Sequence, residues 1–215
     1  MKKIKVSASV LNSDIAMLAN EVKRADEAGS DMIHIDVMDG VFVDNITYGN
    51  VMVKALRKYT ENTLDVHLMI HNPVPLVRFF AEAGSDIITF HSESACDAGE
   101  AIDLIHSFGI KAGVAIKPDT PVSDIEQYIG KADMILVMTV EPGYGGQGFI
   151  PSTLGKIEQV AQIAKDKGYD IDIQVDGGIN AQTAVQVKEA GANVLVAGTY
   201  LFKAEDMALA VNSLR

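Results

Sequence analysis

Two short segments of this chain set an imidazole and a carboxylate two residues apart, His34-Ile35-Asp36-Val37-Met38 and Asp65-Val66-His67-Leu68-Met69, and a third, Gln174-Val175-Asp176-Gly177-Gly178, adds a carboxylate before a glycine pair. Side chains in a strand alternate faces, so His34, Asp36 and Met38 share one face, as do Asp65, His67 and Met69. Two imidazoles and two carboxylates, His34, Asp36, His67 and Asp176, make a competent donor set for one divalent transition metal. A lone strand histidine is usually a hydrogen-bonded core residue, and a lone aspartate at a strand end is often a cap. Four such groups at matching strand ends are harder to obtain by packing, because each buried ionisable group is costly unless paired or ligating.

Glycines form a second set. They occur as Glu141-Pro142-Gly143-Tyr144-Gly145-Gly146-Gln147-Gly148, as Gly177-Gly178 and as Gly198-Thr199. Clustered glycines let main-chain N–H groups turn towards an anion, so these loops are expected to hold a phosphate without help from a lysine. Met38, Met69 and Met138 are candidates to line the same pocket, although methionine on a strand ordinarily fills a core. Cys96, His71, His91, His106 and Lys117 show no repeated pattern and receive no catalytic role.

The elements that must carry these residues alternate along the whole chain. Strands are expected at Lys5–Val10, Met32–Met38, Leu64–Ile70, Ile87–His91, Lys111–Ile116, Met134–Val140, Asp172–Val175 and Val194–Ala197. Helical faces fill the gaps: Leu18, Val22 and Ala25; Val53 and Leu56; Val77 and Phe80; Ile157, Val160, Ala161 and Ala164; Val185, Val187 and Ala190. A faint repeat, Glu27-Ala28-Gly29, Glu82-Ala83-Gly84 and Glu189-Ala190-Gly191, closes three of these helices with the glycine suited to a left-handed helix end. Eight strand–helix units of about 27 residues each point to a compact (β/α)8 TIM barrel spanning residues 1–215 as one domain. A doubly wound open sheet is the alternative, but Val10–Asp14 has no glycine where its phosphate turn would lie. In a barrel the functional groups gather at the C-terminal strand ends, and the loops after strands seven and eight commonly bind phosphate.

Composition narrows the function classes. Hydrophobic residues make up 48% of 215, enough for a real core, and a single Cys excludes a disulfide scaffold. The net charge of -11 disfavours nucleic acid and anionic membranes as partners. No apolar run approaches the ~20 residues of a membrane span. The opening Met-Lys-Lys-Ile-Lys-Val lacks the apolar region of an export signal, and with one unpaired Cys a cytoplasmic location is expected.

His34-Ile-Asp-Val-Met-Asp-Gly40, Asp65-Val-His-Leu-Met69, Val137-Met-Thr-Val140 with Pro142-Gly-Tyr-Gly-Gly-Gln147, and Val175-Asp-Gly-Gly-Ile-Asn180 closely resemble the ribulose-phosphate 3-epimerase family, in register over essentially the whole chain. The resemblance implies a ribulose-phosphate-binding (β/α)8 barrel that interconverts ribulose 5-phosphate and xylulose 5-phosphate, a step of the pentose phosphate pathway. It implies one divalent cation per subunit (Zn, Fe, Mn or Co), held by His34, Asp36, His67 and Asp176. Asp36 and Asp176 then take the proton acceptor and donor roles. Ser9 and His67 match substrate-contacting positions, and Gly143, Tyr144, Gly145, Gly146, Asp176, Gly177, Gly178, Gly198 and Thr199 match the substrate and phosphate loops. A small phosphorylated ketose is the expected partner, and a homo-oligomer the expected assembly.

Four positions depart from the family pattern: Ala8 for a usual Pro, Asn12 for a common Ser, Asp44 for a Pro, and Thr199 where Ser is frequent. They bear on pocket shape, hence on whether a five-carbon ketose or allulose 6-phosphate is preferred. Epimerisation at C3 removes a proton beside a carbonyl and returns it on the other face, which two carboxylates on opposite sides of the barrel would serve. A barrel decarboxylase of the orotidine-phosphate class would carry Asp-x-Lys-x-x-Asp, but Met38 stands where that Lys-bearing segment would need a cation. A non-catalytic sugar-phosphate or metal sensor would not need the paired carboxylates.

Overall fold

The structure, a computed structural model, describes residues 2–215. Eight parallel strands close into a barrel in sequence order: β1 (Lys5–Ser9), β2 (Met32–Met38), β3 (Thr63–Met69), β4 (Ile87–His91), β5 (Lys111–Ile116), β6 (Met134–Met138), β7 (Asp172–Asp176) and β8 (Val194–Ala197), with β8 pairing back onto β1. The helices α1 (Leu18–Glu27), α2 (Asn50–Leu56), α3 (Val74–Glu82), α4 (Ala98–Ser107), α5 (Leu154–Lys167), α6 (Ala181–Glu189), α7 (Thr199–Phe202) and α8 (Met207–Ser213) surround it. The expected (β/α)8 architecture is present, with strand ends shifted by one or two residues. β1 stops at Ser9 because Val10–Asn12 turns into a 3-10 segment, and β7 runs on to include Asp176.

Two features differ from the expected units. No α-helix follows β5; two 3-10 turns, Val122–Asp124 and Glu126–Tyr128, cross to β6 instead. Val185 is half-exposed, and α6 turns Ala184 and Val187 inward. Residues two apart on a helix point in different directions, so Val185 and Val187 cannot share its buried face. The three repeat glycines, Gly29, Gly84 and Gly191, all take positive φ at helix ends.

Strand alternation sorts the interior into two cores. Outward residues such as Ile33, Ile35 and Val37 on β2, or Leu64, Val66 and Leu68 on β3, pack between the barrel and the helices in one continuous apolar cluster. Inward residues stack in layers inside the barrel. Met32, Ile87, Met134 and Val194, one from each even-numbered strand, form an apolar plug. Register then places His34 beside Asp65, Asp36 beside His67, and Met38 beside Met69. Moving along β2 towards its C-terminal end, the barrel therefore changes from apolar to polar and back to methionine at the mouth.

Candidate metal and substrate site

His34 Nε2, Asp36 Oδ1, His67 Nδ1 and Asp176 Oδ2 converge at the end of β2, β3 and β7, and the ligand-capable atoms of these four residues lie within 4.8 Å of one another. Asp36 Oδ1 is 3.2 Å from His34 Nε2 and 3.1 Å from His67 Nδ1. Asp176 Oδ2 is 3.7 Å from the first nitrogen and 3.9 Å from the second. β2 and β7 are separated around the wall by β1 and β8, so the two carboxylates do not face each other across a full diameter. They meet because both side chains point inward.

Each histidine is braced from behind. The His34 Nδ1 sits 2.7 Å from Asp65 Oδ2, and the same oxygen accepts from the Ser7 hydroxyl at 2.9 Å and the Gln174 amide at 2.5 Å. That leaves His34 Nε2 buried without a hydrogen-bond partner, facing Asp36. An orphaned imidazole nitrogen beside two carboxylates and a second imidazole fits a divalent cation bound by mixed nitrogen and oxygen donors. His67 Nε2 lies 2.9 Å from His91 Nε2, and His91 Nδ1 lies 3.1 Å from Glu93 Oε2. The Lys117 N–H and the Thr120 hydroxyl donate to Glu93 Oε1.

The electrostatics separate the two carboxylates. Burial by itself would raise Asp36, but the neighbouring imidazole charge, that of His34 foremost, overcomes it and holds that carboxyl far below the usual carboxylate range. Asp176 goes the other way: burial and then the neighbouring Asp36 charge push it up to about 6, against the pull of His34 and His67. Burial also opposes charge on His34, yet Asp36 and Asp65 raise it well above the ordinary imidazole value. Burial pushes His91 down to about 4. Glu93, although burial favours its neutral acid, is held at about 2 by His91, the Lys117 N–H and Thr120.

Above this cluster opens a cleft lined by Ser9, Asp36, Met38, Met69, Met138, Gly143, Tyr144, Gly145, Gly146, Asp176, Gly177, Gly178, Gly198 and Thr199. The structure thus gathers around one cavity every position that the sequence reading gave to substrate except His67, which with His34 belongs to the cluster and does not line the cleft. Ser9 donates to Asp36 Oδ2 at 2.9 Å. Gly177 and Gly178 take φ of 124° and 66°, and a Cβ on Gly178 would strike the Phe149 backbone. The Thr199 hydroxyl is buried without a partner among the described residues. The β6 loop is tied to the loop after β2, since the Tyr144 hydroxyl donates to Asp44 O at 2.8 Å and Asn45 Nδ2 donates to Gly143 O at 2.9 Å.

Sequence reasoning named Asn12 only as a departure bearing on pocket shape and passed over several other residues of this site. Asn12 lines the cleft and sits so close to Gly145 that any Cβ there would collide with its amide. Leu11, Glu141, Gln147, Ile179 and Tyr200 also line it. Ser7, Asp65 and Gln174 alternate correctly to face inward, a signal that was available, whereas the His91 contact depends on barrel register. His106 lies at the surface with Nε2 2.8 Å from Asp133 Oδ2, apart from the site.

Fold and site together define a (β/α)8-barrel protein with a metal-competent cluster under a glycine-rimmed cleft. The chain matches the profile of the Ribulose-phosphate 3 epimerase family over residues 5–202. It is 48% identical over 213 residues to a ribulose-phosphate 3-epimerase of Bacillus subtilis, covering 99% of this chain and 98% of that one. Against a ribulose-phosphate 3-epimerase of Methanocaldococcus jannaschii it is 45% identical over 212 residues, covering 99% and 90%. Among solved structures, KGPDC from Streptococcus mutans shares the fold at a TM-score of 0.72 and 14% identity, over 99% of this chain and 96% of that one. The chain belongs to the ribulose-phosphate 3-epimerase family.

Proposed function

We propose that this protein epimerises C3 of ribulose 5-phosphate to give xylulose 5-phosphate, using Asp36 and Asp176 as a proton-transferring pair. The observation that carries this is geometric: Asp36 from β2 and Asp176 from β7 bring two carboxylates from different strands into one cluster beneath the glycine-rimmed cleft. Asp36 is held low chiefly by His34, and Asp176 is raised by burial and by Asp36. Environments that push paired carboxyl groups apart assign a base and an acid. Asp36 is therefore the acceptor of the C3 proton in this direction, and Asp176 the group that supplies one to the opposite face. The Ser9 hydroxyl orients Asp36 through Oδ2, leaving Oδ1 in the cluster. In the reverse direction the two exchange roles.

His34, Asp36, His67 and Asp176 would hold one divalent cation, Zn, Fe, Mn or Co. When bound, that cation supplies Lewis-acid stabilisation of the negative charge that develops when C3 loses its proton. On this reading Gly177, Gly178, Gly198 and Thr199 supply main-chain and hydroxyl donors for the phosphate, and Met38, Met69 and Met138 line the same cleft. No helix of the described residues is long and apolar enough to cross a membrane. Residence in the cytoplasm and assembly as a homo-oligomer belong to the same reading, the first supported by the lone free Cys96.

Side-by-side kcat/KM values for ribulose 5-phosphate, free ribulose and allulose 6-phosphate test the substrate assignment. The metal and both carboxylates would serve any of the three, so discrimination must come from the phosphate loops and the length between them and the cluster. We expect the pentulose phosphate to be preferred about tenfold or more over the hexulose phosphate, the scale of one extra carbon in a close-fitting pocket. Free ribulose should be turned over far more slowly, because the phosphate positions the reacting carbon. Equal values for ribulose and its phosphate would contradict the role given to the glycine loops, and a clear preference for allulose 6-phosphate would move the substrate without moving the chemistry.

A further inference from the structure

The barrel interior holds a chain of polar contacts that the proton-transfer pair does not use. It runs from His67 through His91 to Glu93, from β3 across β4 to the loop beyond it. His67 and His91 are both fully buried, with ring centroids 5.0 Å apart and their Nε2 atoms at 2.9 Å. Two imidazole nitrogens at that separation share one proton, and which ring carries it decides the face that His67 presents to the cluster. The contact alone permits either answer.

Glu93 resolves it. Its Oε1 takes the Lys117 N–H at 2.8 Å and the Thr120 hydroxyl, both donors to an ionised carboxylate, and its Oε2 faces His91 Nδ1 at 3.1 Å. A carboxylate can only accept, so Nδ1 of His91 carries the proton. His91, enclosed in the barrel against the Phe42 ring with centroids 4.7 Å apart, then has its Nε2 lone pair free to accept. His67 must donate from Nε2, which leaves Nδ1 without a proton, so that Nδ1 and Asp36 Oδ1, 3.1 Å apart, are two acceptors that a cation between them would join.

We infer that His91 and Glu93 are positioning residues which lock His67 in the tautomer and ring orientation that presents Nδ1 to the cation, as Asp65 does for His34. The inference rests on the metal reading given above. It differs from a packing role in requiring an acceptor, and not merely a filled volume, at position 91. An acceptor behind a ligating histidine commonly contributes about 10- to 100-fold in metal affinity.

The test uses the full-length zinc-loaded protein, since zinc is diamagnetic, with histidine nitrogens labelled for NMR. We expect His67 protonated on Nε2, His91 protonated on Nδ1 and bare on Nε2, and a 15N–15N scalar coupling between the two Nε2 atoms across the hydrogen bond. A proton on His91 Nε2 would overturn the inference on the unaltered protein, with no variant needed. Zinc affinity, read by competition with a chromogenic chelator, then separates acceptor from filler: His91→Leu should weaken binding about 10- to 100-fold. His91→Gln, whose amide oxygen can still accept, should restore most of it. Equal zinc affinity for folded His91→Leu and His91→Gln would also overturn it. If the couplings and affinities come out as expected while ribulose 5-phosphate is not turned over, the functional reading fails and the positioning role stands.

Discussion

Asp36 and Asp176 occupy one buried cluster and hold their protons on opposite terms, Asp36 ionised between His34 and His67 and Asp176 raised to about 6 by burial and by Asp36 itself. Coordination of a cation would favour both as carboxylates, and burial and the Asp36 charge act on Asp176 in the opposite direction. Replacing either with asparagine preserves shape and removes the titrating oxygen. Asp36→Asn and Asp176→Asn should each lower kcat by at least ~10²-fold, the scale for one positioned acid or base. Metal content measured on the same samples separates lost proton transfer from lost cation. Near-normal turnover by either variant with metal bound would contradict the pair. At this scale period-two alternation made His34, Asp36, His67 and Asp176 legible in the sequence. It also turned Asp65 and Gln174 inward, but their function depends on meeting Ser7 and His34 across the barrel lumen. His91 and Glu93 were illegible for the same reason: their partners are set by register between β3 and β4, and by a loop returning from β5.

The loops carry the substrate assignment. Gly178 follows β7 at φ 66° with its Cα turned against the Phe149 backbone, so a side chain there meets both an unfavourable backbone region and a steric block. Gly178→Ala should cost ~1–3 kcal/mol of local strain. The loop can relieve that strain only by moving, so kcat/KM for ribulose 5-phosphate should fall while zinc affinity holds, because none of the four ligands lies in the loop. Unchanged kcat/KM would show that this turn does not shape the phosphate site. The glycine runs were visible in the sequence, and so was the repeat that ends α1, α3 and α6. The β5–β6 connection was not: after Pro121 the turns Val122–Asp124 and Glu126–Tyr128 carry buried apolar residues such as Val122 and Ile125, and an apolar count alone does not distinguish those turns from a helix. The face of α6 was misplaced at Val185 for want of strict helical spacing.

Across the whole molecule, the barrel separates stability from chemistry by direction. Side chains facing outward join the strands to the helices in one apolar cluster, and those facing inward grade from the Met32–Ile87–Met134–Val194 plug to the polar layer and the cleft. The fold itself is shared with proteins only 14–18% identical, among them a 3-hexulose-6-phosphate synthase and tryptophan synthase α-subunits, so the architecture does not choose the reaction. On the proposed reading the choice lies in the cluster of His34, Asp36, His67 and Asp176 and in the cleft above it. The charge of -11 is compatible with an anionic substrate only if donors are local, as the glycine loops and the Thr199 hydroxyl are.

Proton NMR of ribulose 5-phosphate incubated with the metal-loaded protein in heavy water tests the pairing of Asp36 with Asp176 most directly. Two carboxylates working on opposite faces cannot return the abstracted proton itself, so xylulose 5-phosphate should carry deuterium at C3 from its first appearance. Xylulose 5-phosphate that retains its protium at C3 would show one group carrying the same proton across, and would contradict the assignment of Asp36 and Asp176.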